Sequence, residues 1–412
     1  MALRVLHIIP SLGPVHGGPS QAIVAMVQAL RQAGVEAEIA TTNDNGPGLL
    51  PVPLHQRIQY QGVPVWFFPR LSSTLGAVRG FIFSAALTRW LWHNLKHYDV
   101  VHIHALFCYP ATAAMTMARL QAVPYVVRPL GMLCHWSLQQ SARRKQVYLR
   151  LIERSNLNHS RLLHLTSPQE QAETAALGLA PPGVVIPHGL SLPAPLPQAP
   201  QQLRQQLGIG DSVPVILFLS RLHPKKGLDL LIEALAQLQS QPFALVIAGE
   251  GTPDYQASLR QLVRDRGLGD RTHFVGFVEG ERKALLLQGA DLFALTSHSE
   301  NFGIAVLEAM AAGLPTLVTP GVALATVIQA QGLGYVPDQT VAAIGQDLQL
   351  WLDQRPQARA MGQRARAYVA AHYSWQRVAE TLITLYAQLG AKQAPSPSLD
   401  PTLPWDDQTF RV

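Results

Sequence analysis

The chain has 412 residues and a mass of 44.9 kDa, and 48% of its residues are hydrophobic while 14% are charged. Single hydrophobic cores stop growing well below this length, so two domains are expected. The composition excludes a disordered chain, and two cysteines are too few for a disulfide scaffold. No Cys and His residues have zinc-site spacing and no D-x-D pair occurs, so no metal site is predicted.

The net charge of +6 is concentrated in the first half of the chain. Residues 1–190 contain 15 Lys and Arg against 7 Asp and Glu, whereas the remainder contains 17 against 19. The densest basic cluster, at 141–161, includes Arg143, Arg144 and Lys145. Such a cluster is typical either of a solvated helix face or of contact with an anionic membrane surface. Sparse aromatic residues argue against nucleic acid as a partner.

The N-terminal sequence MALRVLHIIP predicts a buried first strand at 4–9 rather than a signal peptide, because its apolar run is short and ends at Pro10. The longest apolar stretch, 100–118, contains two histidines and a proline, which argues against a membrane span. We therefore expect a cytoplasmic protein, with peripheral binding at the inner face of the cell membrane as the consequence of the basic cluster.

The first half continues with a helical pattern at 21–32 and further short β-branched runs. These runs predict strands at 37–41, 63–68, 100–104, 125–127, 162–166 and 184–186. The segment LSLPAPLPQAPQQ, residues 190–202, contains four prolines and predicts a semi-rigid linker at 191–202.

A second series of elements follows the linker. Its predicted strands lie at 215–219, 244–248, 273–275, 292–295 and 316–318, with helical patterns at 228–239 and 304–312. Apolar strands that alternate with helices predict parallel sheets covered on both faces. The fold class is therefore α/β, with two doubly wound Rossmann-like domains, 1–190 and 203–372, facing across a ligand-binding cleft. A helix is predicted at 373–390 and a disordered tail at 394–412.

Two glutamates eight residues apart lie in TSHSENFGIAVLEAMAAGLP, residues 296–315. Glu300 precedes a helix predicted to begin at Gly303, and Glu308 interrupts the apolar sequence of that helix. A carboxylate among apolar residues needs a partner because its desolvation is costly, and vicinal hydroxyls of a ribose or hexose would serve. The alternative is that Glu308 pairs with a buried arginine or lies on a solvated face.

Two cations follow the strand at 215–219, in SRLHPKKG. Arg221 and Lys226 flank a proline-containing loop that leads into the helix after Gly227. Cations at the carboxyl end of a parallel strand, beside a helix N-terminus, predict a site for a diphosphate. The later glycines of AGEGTPD are read as a plain turn.

The motifs SRLHPKKG, FVGFV and DLFALTSHSENFGIAVLEAMAAGLP resemble the C-terminal half of family 4 of the retaining GT-B glycosyltransferases. The E-x7-E spacing with the upstream R…KG is the specific part of this resemblance. VLHIIPSLGPVHGGPSQAIVAMVQALRQAGVEAEI resembles the opening strand, glycine loop and first helix of that family. YDVVHIHALF resembles its central N-domain strand, and HYSWQRVAETLITLY its last helix, which crosses back to the N-domain.

The resemblance implies roles for the residues of the C-terminal motifs. Arg221 and Lys226 would hold the diphosphate of a nucleotide-sugar donor, and Glu308 would accept hydrogen bonds from the ribose. Glu300 would hold the donor sugar and the phosphate next to it, together with the backbone amides of Asn301, Phe302 and Gly303. The donor is a substrate, so no cofactor is expected.

The resemblance also assigns the acceptor to domain 1–190 and the nucleotide sugar to domain 203–372. Gly17 and Gly18 would let the N-domain backbone approach the donor diphosphate. Where the family commonly has His or Arg before the Gly of VVRPLGML, this chain has Leu130. His102, His104 and Arg128 are the candidates to replace that side chain, and His188 stands where the family usually has Asn.

The reaction implied is transfer of a hexose from a nucleotide-diphosphate sugar to an acceptor hydroxyl, with retention of configuration and without a metal, in polysaccharide or glycolipid assembly. The acceptor would be a glycan or a lipid-linked glycan. A catalytically silent nucleotide-binding scaffold would lack some of the four charged residues, and a glycoside hydrolase would not need a diphosphate site. A nucleotide-sugar epimerase would have G-x-G-x-x-G after the first strand, which GPVHGGPS does not supply.

Overall fold

The chain forms two compact units in a computed structural model that describes residues 2–72, 80–140 and 142–390. Unit 1 comprises the chain up to Gly189 together with the segment that starts at Trp375, and unit 2 comprises Leu190–Ser374. The tail predicted at 394–412 lies outside the described residues. No helix among the described residues combines the length and the hydropathy needed to cross a membrane.

Unit 1 is built on an eight-stranded sheet with the order β10-β9-β8-β7-β1-β2-β6-β5. Its neighbouring strands are parallel except for β5 and β6, which pair antiparallel, and β3 and β4 form a separate small hairpin. The strands are β1 (Arg4–Ser11), β2 (Glu36–Thr42), β3 (Asp44–Asn45), β4 (Gly48–Leu49), β5 (Arg57–Tyr60), β6 (Val63–Phe68), β7 (Val100–His104), β8 (Tyr125–Arg128), β9 (Leu162–Leu165) and β10 (Gly183–Val185).

Helices cover both faces of this sheet. The α-helices before Gly189 whose bounds lie within the described residues are α1 (Gly18–Gln32), α2 (Ala85–Asn94), α3 (Tyr109–Leu120), α4 (His135–Gln139), α5 (Ala142–Tyr148), α6 (Arg154–Asn158) and α7 (Pro168–Ala175). A π-helical turn, Leu149–Glu153, joins α5 to α6. Helix α1 buries Ile23, Met26, Val27 and Leu30, the spacing of one helical face, and each buried aliphatic side chain contributes about 1.5–3 kcal/mol to stability.

Unit 2 contains a six-stranded parallel sheet with the order β13-β12-β11-β14-β15-β16. Its strands are β11 (Val215–Leu219), β12 (Ala244–Ala248), β13 (Thr272–Gly276), β14 (Leu292–Leu295), β15 (Thr316–Val318) and β16 (Gly334–Tyr335). Its helices are α8 (Ala199–Leu207), α9 (Leu228–Ala236), α10 (Pro253–Asp265), α11 (Gly280–Gly289), α12 (Ile304–Ala311), α13 (Ala325–Ala330), α14 (Val341–Asp353) and α15 (Arg355–His372). This is the strand order of a doubly wound nucleotide-binding sheet, so the predicted α/β fold class is confirmed.

The last helix, α16 (Trp375–Gly390), belongs to unit 1. It packs against α1, and Val378, Leu382 and Leu385 join the same buried cluster as Val5 and Val100 of the sheet. The core of unit 1 is therefore completed by residues at the far end of the chain.

Two of the differences from the sequence-based expectation concern the predicted linker and an edge strand. Helix α8 begins at Ala199, inside the segment predicted as a linker, and Leu196 N donates to Gln288 Oε1 of α11. Pro200 stands in the first turn of α8, where a missing N–H costs no helical hydrogen bond. Strand β5 was not predicted, because its sequence RIQY is a short, polar edge strand.

Candidate active site

Unit 2 brings together the two loops that the sequence singled out, one after β11 and one after β14. These strands are neighbours at the point where the strand order reverses, which is where ligands bind in open α/β sheets. Thr296 Oγ1 donates to the Gly227 carbonyl over 2.6 Å, and His298 N donates to the Lys225 carbonyl over 2.8 Å. The two loops are thus fastened to each other by backbone-directed hydrogen bonds.

Lys226 and Glu300, predicted from separate motifs, form an ion pair between Nζ and Oε2. Lys226 is buried, and its burial with the charges of Arg221 and Lys225 lowers the pKa of its ammonium group. The contact with Glu300 favours the charged form of the same group. Arg221 lies five residues earlier in the loop and is exposed. The site therefore presents two cations beside one carboxylate.

The N-terminus of α12 lies directly after Glu300. Gly303 occupies the position before the helix with a φ of 93°, a left-handed conformation that glycine adopts without strain. Asn301 and Phe302 lie between Glu300 and this glycine, and Phe302 is buried. The first amides of α12 lack helical partners, so they favour an anion or a hydroxyl-rich ligand at this end.

Glu308 lies in the second turn of α12, as predicted, and is half-buried. Its Oε1 lies 2.7 Å from Nζ of Lys283 in α11, so its partner in this structure is a lysine. Sequence analysis missed Lys283, because the sequence EGERKALLL of α11 has the alternation of an ordinary solvated helix. The partner expected for Glu308 was a nucleotide, and that role stays a prediction.

The glycines of AGEGTPD pack the loop after β12 closely against the loop after β11. A Cβ at Gly249 would lie 1.9 Å from the Ser220 carbonyl oxygen, and one at Gly251 would lie 2.1 Å from that of Leu222. Leu222 N also donates to the Glu250 carbonyl over 2.8 Å. Both glycines are thus explained by packing.

In unit 1, Gly17 and Gly18 form the entry to α1. Gly17 has a φ of 69°, and a Cβ there would have open space around it. The preceding His16 is held by Asp44, whose Oδ2 lies 2.7 Å from His16 Nε2. Asp44 is buried and also pairs with Arg70 over 3.0 Å, so the glycine loop rests on a buried carboxylate that sequence analysis did not single out.

His104 lies in a buried group of histidines on the sheet of unit 1. Its Nε2 lies 3.1 Å from Nδ1 of His7. Burial lowers the pKa of His104 well below its ordinary value, and His7 and Arg128 lower it further, so the ring is neutral at pH 7. A role for His104 in touching a sugar stays a prediction.

A chain of hydrogen bonds runs beside His104, from the Tyr386 hydroxyl through His102 and His164 to the Ile186 carbonyl. The successive distances are 2.6, 3.2 and 2.8 Å. Since a carbonyl only accepts, His164 Nε2 carries a proton, and burial keeps the pKa of each ring well below its ordinary value. His102 therefore donates to His164 and accepts from Tyr386, which ties α16 to the sheet.

His7, His102 and His104 form the one group among the described residues in which three such side chains could together hold a metal ion. Both ring nitrogens of His102 are already used in the hydrogen-bond chain, and the charge of Arg128 acts on all three rings. A cation would have to break that chain beside a fixed positive charge. We therefore assign no metal ion to this group of histidines.

The basic cluster lies on α5, the π-helical turn and α6. Arg143 and Arg144 are exposed. Lys145, expected to act with them, is instead half-buried and donates to the Ser137 carbonyl over 2.7 Å. Val147 and Leu151 are 57% and 72% exposed, so apolar side chains accompany the arginines on this surface.

The two doubly wound units place this chain in the class of α/β proteins with open parallel sheets. Unit 2 has cations, carboxylates and a helix N-terminus at the carboxyl ends of its central strands. Residues 200–368 match the family model described as glycosyl transferases group 1, and residues 17–189 match that of the glycosyl transferase 4-like domain. The chain belongs to the group 1 glycosyltransferases, and the resemblance stated from its motifs is confirmed.

Individual relatives agree with this family, and a solved structure agrees with the fold. A GDP-mannose-dependent monoacylated alpha-(1-6)-phosphatidylinositol monomannoside mannosyltransferase of Corynebacterium glutamicum is 34% identical over 224 residues, 51% of this chain and 58% of that protein. A D-inositol 3-phosphate glycosyltransferase of Kineococcus radiotolerans is 27% identical over 97% of this chain and 98% of its own. Sucrose-phosphate synthase of Thermosynechococcus elongatus shares the fold, with a TM-score of 0.75 and 23% identity over 95% of this chain and 100% of that one.

Proposed function

We propose that this glycosyltransferase moves a hexose from a nucleotide-diphosphate sugar to an acceptor hydroxyl with retention of configuration and without a metal. The observation that carries the proposal is the pairing of Lys226 with Glu300 beside the N-terminus of α12. A diphosphate leaving group develops negative charge as the glycosidic bond breaks. Lys226, Arg221 and the first amides of α12 offer positive charge to that group.

The carboxylates have distinct roles in this proposal. Glu308 would accept hydrogen bonds from the ribose hydroxyls of the donor, either in place of its contact with Lys283 or in addition to it. Glu300 would orient the donor sugar next to the amides of residues 301–303. We assign neither carboxylate a covalent role, because each is paired with a lysine, and the chain's contribution in this proposal is positioning and charge stabilisation.

The relatives inform the donor and acceptor only by analogy. One is named for GDP-mannose and a phosphatidylinositol glycolipid, and the other for D-inositol 3-phosphate. They support a nucleotide-activated sugar and assembly of a glycolipid or polysaccharide as the setting for this chain. All four predicted charged residues are present in unit 2, which favours an active enzyme over a silent scaffold.

The test uses Arg221→Ala and Lys226→Ala in a transfer or donor-hydrolysis assay over a panel of nucleotide sugars. Each substitution should lower turnover by about 10²–10³, the usual effect of removing one preorganised electrostatic donor. Arg266→Ala is the matched control, because Arg266 forms an exposed ion pair with Glu233 on the same unit. Wild-type turnover in both loop variants would refute the diphosphate assignment.

We further propose that unit 1 binds anionic membrane surfaces through Arg143, Arg144 and the apolar side chains beside them. A surface that combines cations with Val147 and Leu151 fits the interface of an anionic bilayer, where each basic residue adds roughly 1 kcal/mol. Lys145 donates a hydrogen bond to the Ser137 carbonyl, so in this proposal it contributes less to membrane binding than the sequence indicated.

Sedimentation with vesicles containing anionic lipid tests this surface. The double variant Arg143→Glu/Arg144→Glu should lose binding at low salt, and Leu151→Ser should weaken it at all salt concentrations. Substituting Arg264 and Arg266 of unit 2 in the same way is the control for net charge. A wild-type protein that ignores such vesicles at low salt would show that the cluster is a solvated face.

A further inference from the structure

A buried arginine in unit 1 has no counter-charge in direct contact. Arg128 is the last residue of β8 and is 1% exposed. Its Nη2 lies 3.1 Å from His188 Nδ1, and its Nε has no hydrogen-bond partner. Within the described ranges 2–72, 80–140 and 142–390, none of the carboxylates lies within ion-pair distance of its guanidinium.

The acidic residue whose charge acts on Arg128 is Glu170, and its carboxylate oxygens accept hydrogen bonds from other groups. Glu170 Oε2 accepts from Thr166 N and Thr166 Oγ1, both over 2.7 Å, and its Oε1 accepts from Gly131 N over 2.6 Å. Burial outweighs the attraction of Glu170 and lowers the pKa of Arg128 to about 10. A buried charge of one sign is costly unless a partner of the other sign meets it.

The groups around Arg128 are neutral histidines. His104 is its register partner on β7, and His188 follows β10. Burial lowers the pKa of both rings well below the ordinary value, and Arg128 adds to the shift. Neutral imidazoles can donate to an anion but do not cancel the charge of a guanidinium, so the three side chains form a buried group with a net positive charge.

The backbone beside Arg128 and His104 is held in unusual conformations. Ala105 directly follows His104 with a φ of 72°, and Leu130 lies two residues after Arg128 with a φ of 55°. Ala105 N donates to the Arg128 carbonyl over 3.0 Å, so the two strand ends are joined. Non-glycine residues in the left-handed region cost about 1–3 kcal/mol each and cluster where ligands bind.

We infer that Arg128, with His104 and His188, binds an oxyanion of the acceptor, a phosphate or a carboxylate group. This inference rests on the proposed transfer reaction and names the acceptor class: an anionic molecule. The guanidinium presents two parallel N–H groups, which match an oxyanion in a bidentate arrangement.

The experiment measures thermal stability in the Arg221→Ala/Lys226→Ala background, which removes the cations of unit 2 as a second site for anions. Inorganic phosphate and acetate are titrated separately, with chloride at equal ionic strength as the reference. We expect one of the two to raise Tm by about 5 °C at concentrations far above Kd. The oxyanion that acts identifies the acceptor group as phosphate or carboxylate.

Arg128→Met in the same background should abolish that response. It should also keep or raise the Tm in anion-free buffer, because it removes an uncompensated buried charge. The matched control is Arg204→Met in the same background, since Arg204 is equally buried but pairs with Asp291 over 2.5 Å, and its loss should lower Tm. Arg128→Lys keeps the positive charge but loses the two parallel N–H groups, so it should bind the oxyanion about tenfold more weakly.

The inference is overturned if neither anion stabilises the protein more than chloride does, or if Arg128→Met retains the response. It is also overturned if Arg128→Met lowers Tm in anion-free buffer as much as Arg204→Met does, which is the behaviour of a structural arginine. Calorimetry of nucleoside diphosphate with the wild-type protein is run in parallel. Nucleotide binding without an oxyanion response would leave the proposed function standing.

Discussion

Each carboxylate of the candidate site in unit 2 is paired with a lysine from a different element. Glu300 contacts Lys226 of the loop after β11, and Glu308 contacts Lys283 of α11. These pairs neutralise the two carboxylates and hold their side chains in place, while Arg221 leaves the site with a net positive charge. A donor that brings its own negative charges must therefore compete for the lysines, and its hydroxyls must compete for the carboxylates.

Glu308→Gln tests this exchange at a single residue. The change preserves volume but removes a charged acceptor, so affinity for nucleoside diphosphate should fall about tenfold or more in calorimetry. The free energy of unfolding should change by less than about 1 kcal/mol, because a partly exposed ion pair contributes little. Lys283→Met is the comparison, since it breaks the same pair but leaves Glu308 able to accept from ribose. Unchanged affinity in Glu308→Gln, with a large loss of stability, would favour a structural role.

The hydrogen-bond chain in unit 1 makes a second residue-scale prediction. Tyr386→Phe removes the donor to His102 and leaves a buried ring nitrogen unsatisfied, so the free energy of unfolding should fall by about 1–3 kcal/mol in chemical denaturation. Tyr255→Phe is the matched control, because the Tyr255 hydroxyl is buried without a hydrogen-bond partner. Its removal should be neutral or stabilising. Equal effects of the two substitutions would contradict the chain as described.

At the scale of elements, the loops after β11 and β14 are held at contact distance by a glycine. A Cβ at Gly227 would lie 2.1 Å from the Thr296 carbonyl oxygen, which is a severe steric clash. The residue also has a φ of 61° and leads directly into α9. The geometry of the candidate site depends on this position as much as on the charged side chains.

Gly227→Ala and Gly208→Ala separate the clash from the backbone conformation. Both glycines are left-handed, with φ of 61° and 67°, but Gly208 has open space where a Cβ would lie. Gly208→Ala should cost about 1–2 kcal/mol from conformation alone. Gly227→Ala should cost clearly more and should lower nucleotide affinity, as the loops are forced apart. Denaturation and calorimetry on both variants measure the difference, and equal costs would show that the loops can separate freely.

The strands were predicted well because they are short, β-branched and apolar on both faces. The strands at 63–68, 100–104, 215–219, 244–248 and 292–295 have the predicted bounds. Those that were missed carry a weaker signal: β5 is polar, and β16 has two residues. Helix α8 was not predicted to begin at Ala199, because the proline in its first turn continues the proline-rich pattern of the preceding linker.

The residues of the candidate site also divide into those that the sequence predicts and those that it does not. Arg221, Lys226, Glu300 and Glu308 could be predicted because each follows a strand or interrupts an apolar helix. Lys283 and Asp44 could not, since their importance depends on partners 25 and 28 residues away that only the tertiary structure brings within reach. The burial of His104 agrees with its place on the predicted strand at 100–104, but its contacts with His7 and Arg128 could not be predicted, because these residues are distant along the chain.

At the scale of the whole molecule, we expect transfer to continue in excess chelator. The charge of a departing diphosphate would be met by Arg221, Lys226 and the amides of α12, and the sequence contains no D-x-D pair to hold a divalent ion. The measurement is the initial rate with and without chelator after extensive dialysis. Loss of activity that Mg²⁺ or Mn²⁺ restores would contradict this prediction.

The return of α16 to unit 1 has a consequence for how the protein is made. Unit 1 lacks Val378, Leu382 and Tyr386 until the ribosome has synthesised the last helix, whereas unit 2 is complete once Ser374 has emerged. Domains usually fold in order from the N-terminus during synthesis. Here the first-made sheet must wait with one face only partly covered, by α1, while the later-made unit folds. Nascent chains that stop before Trp375 should therefore need chaperones, and a fragment ending at Gly189 should be a substrate for proteolysis rather than a stable domain.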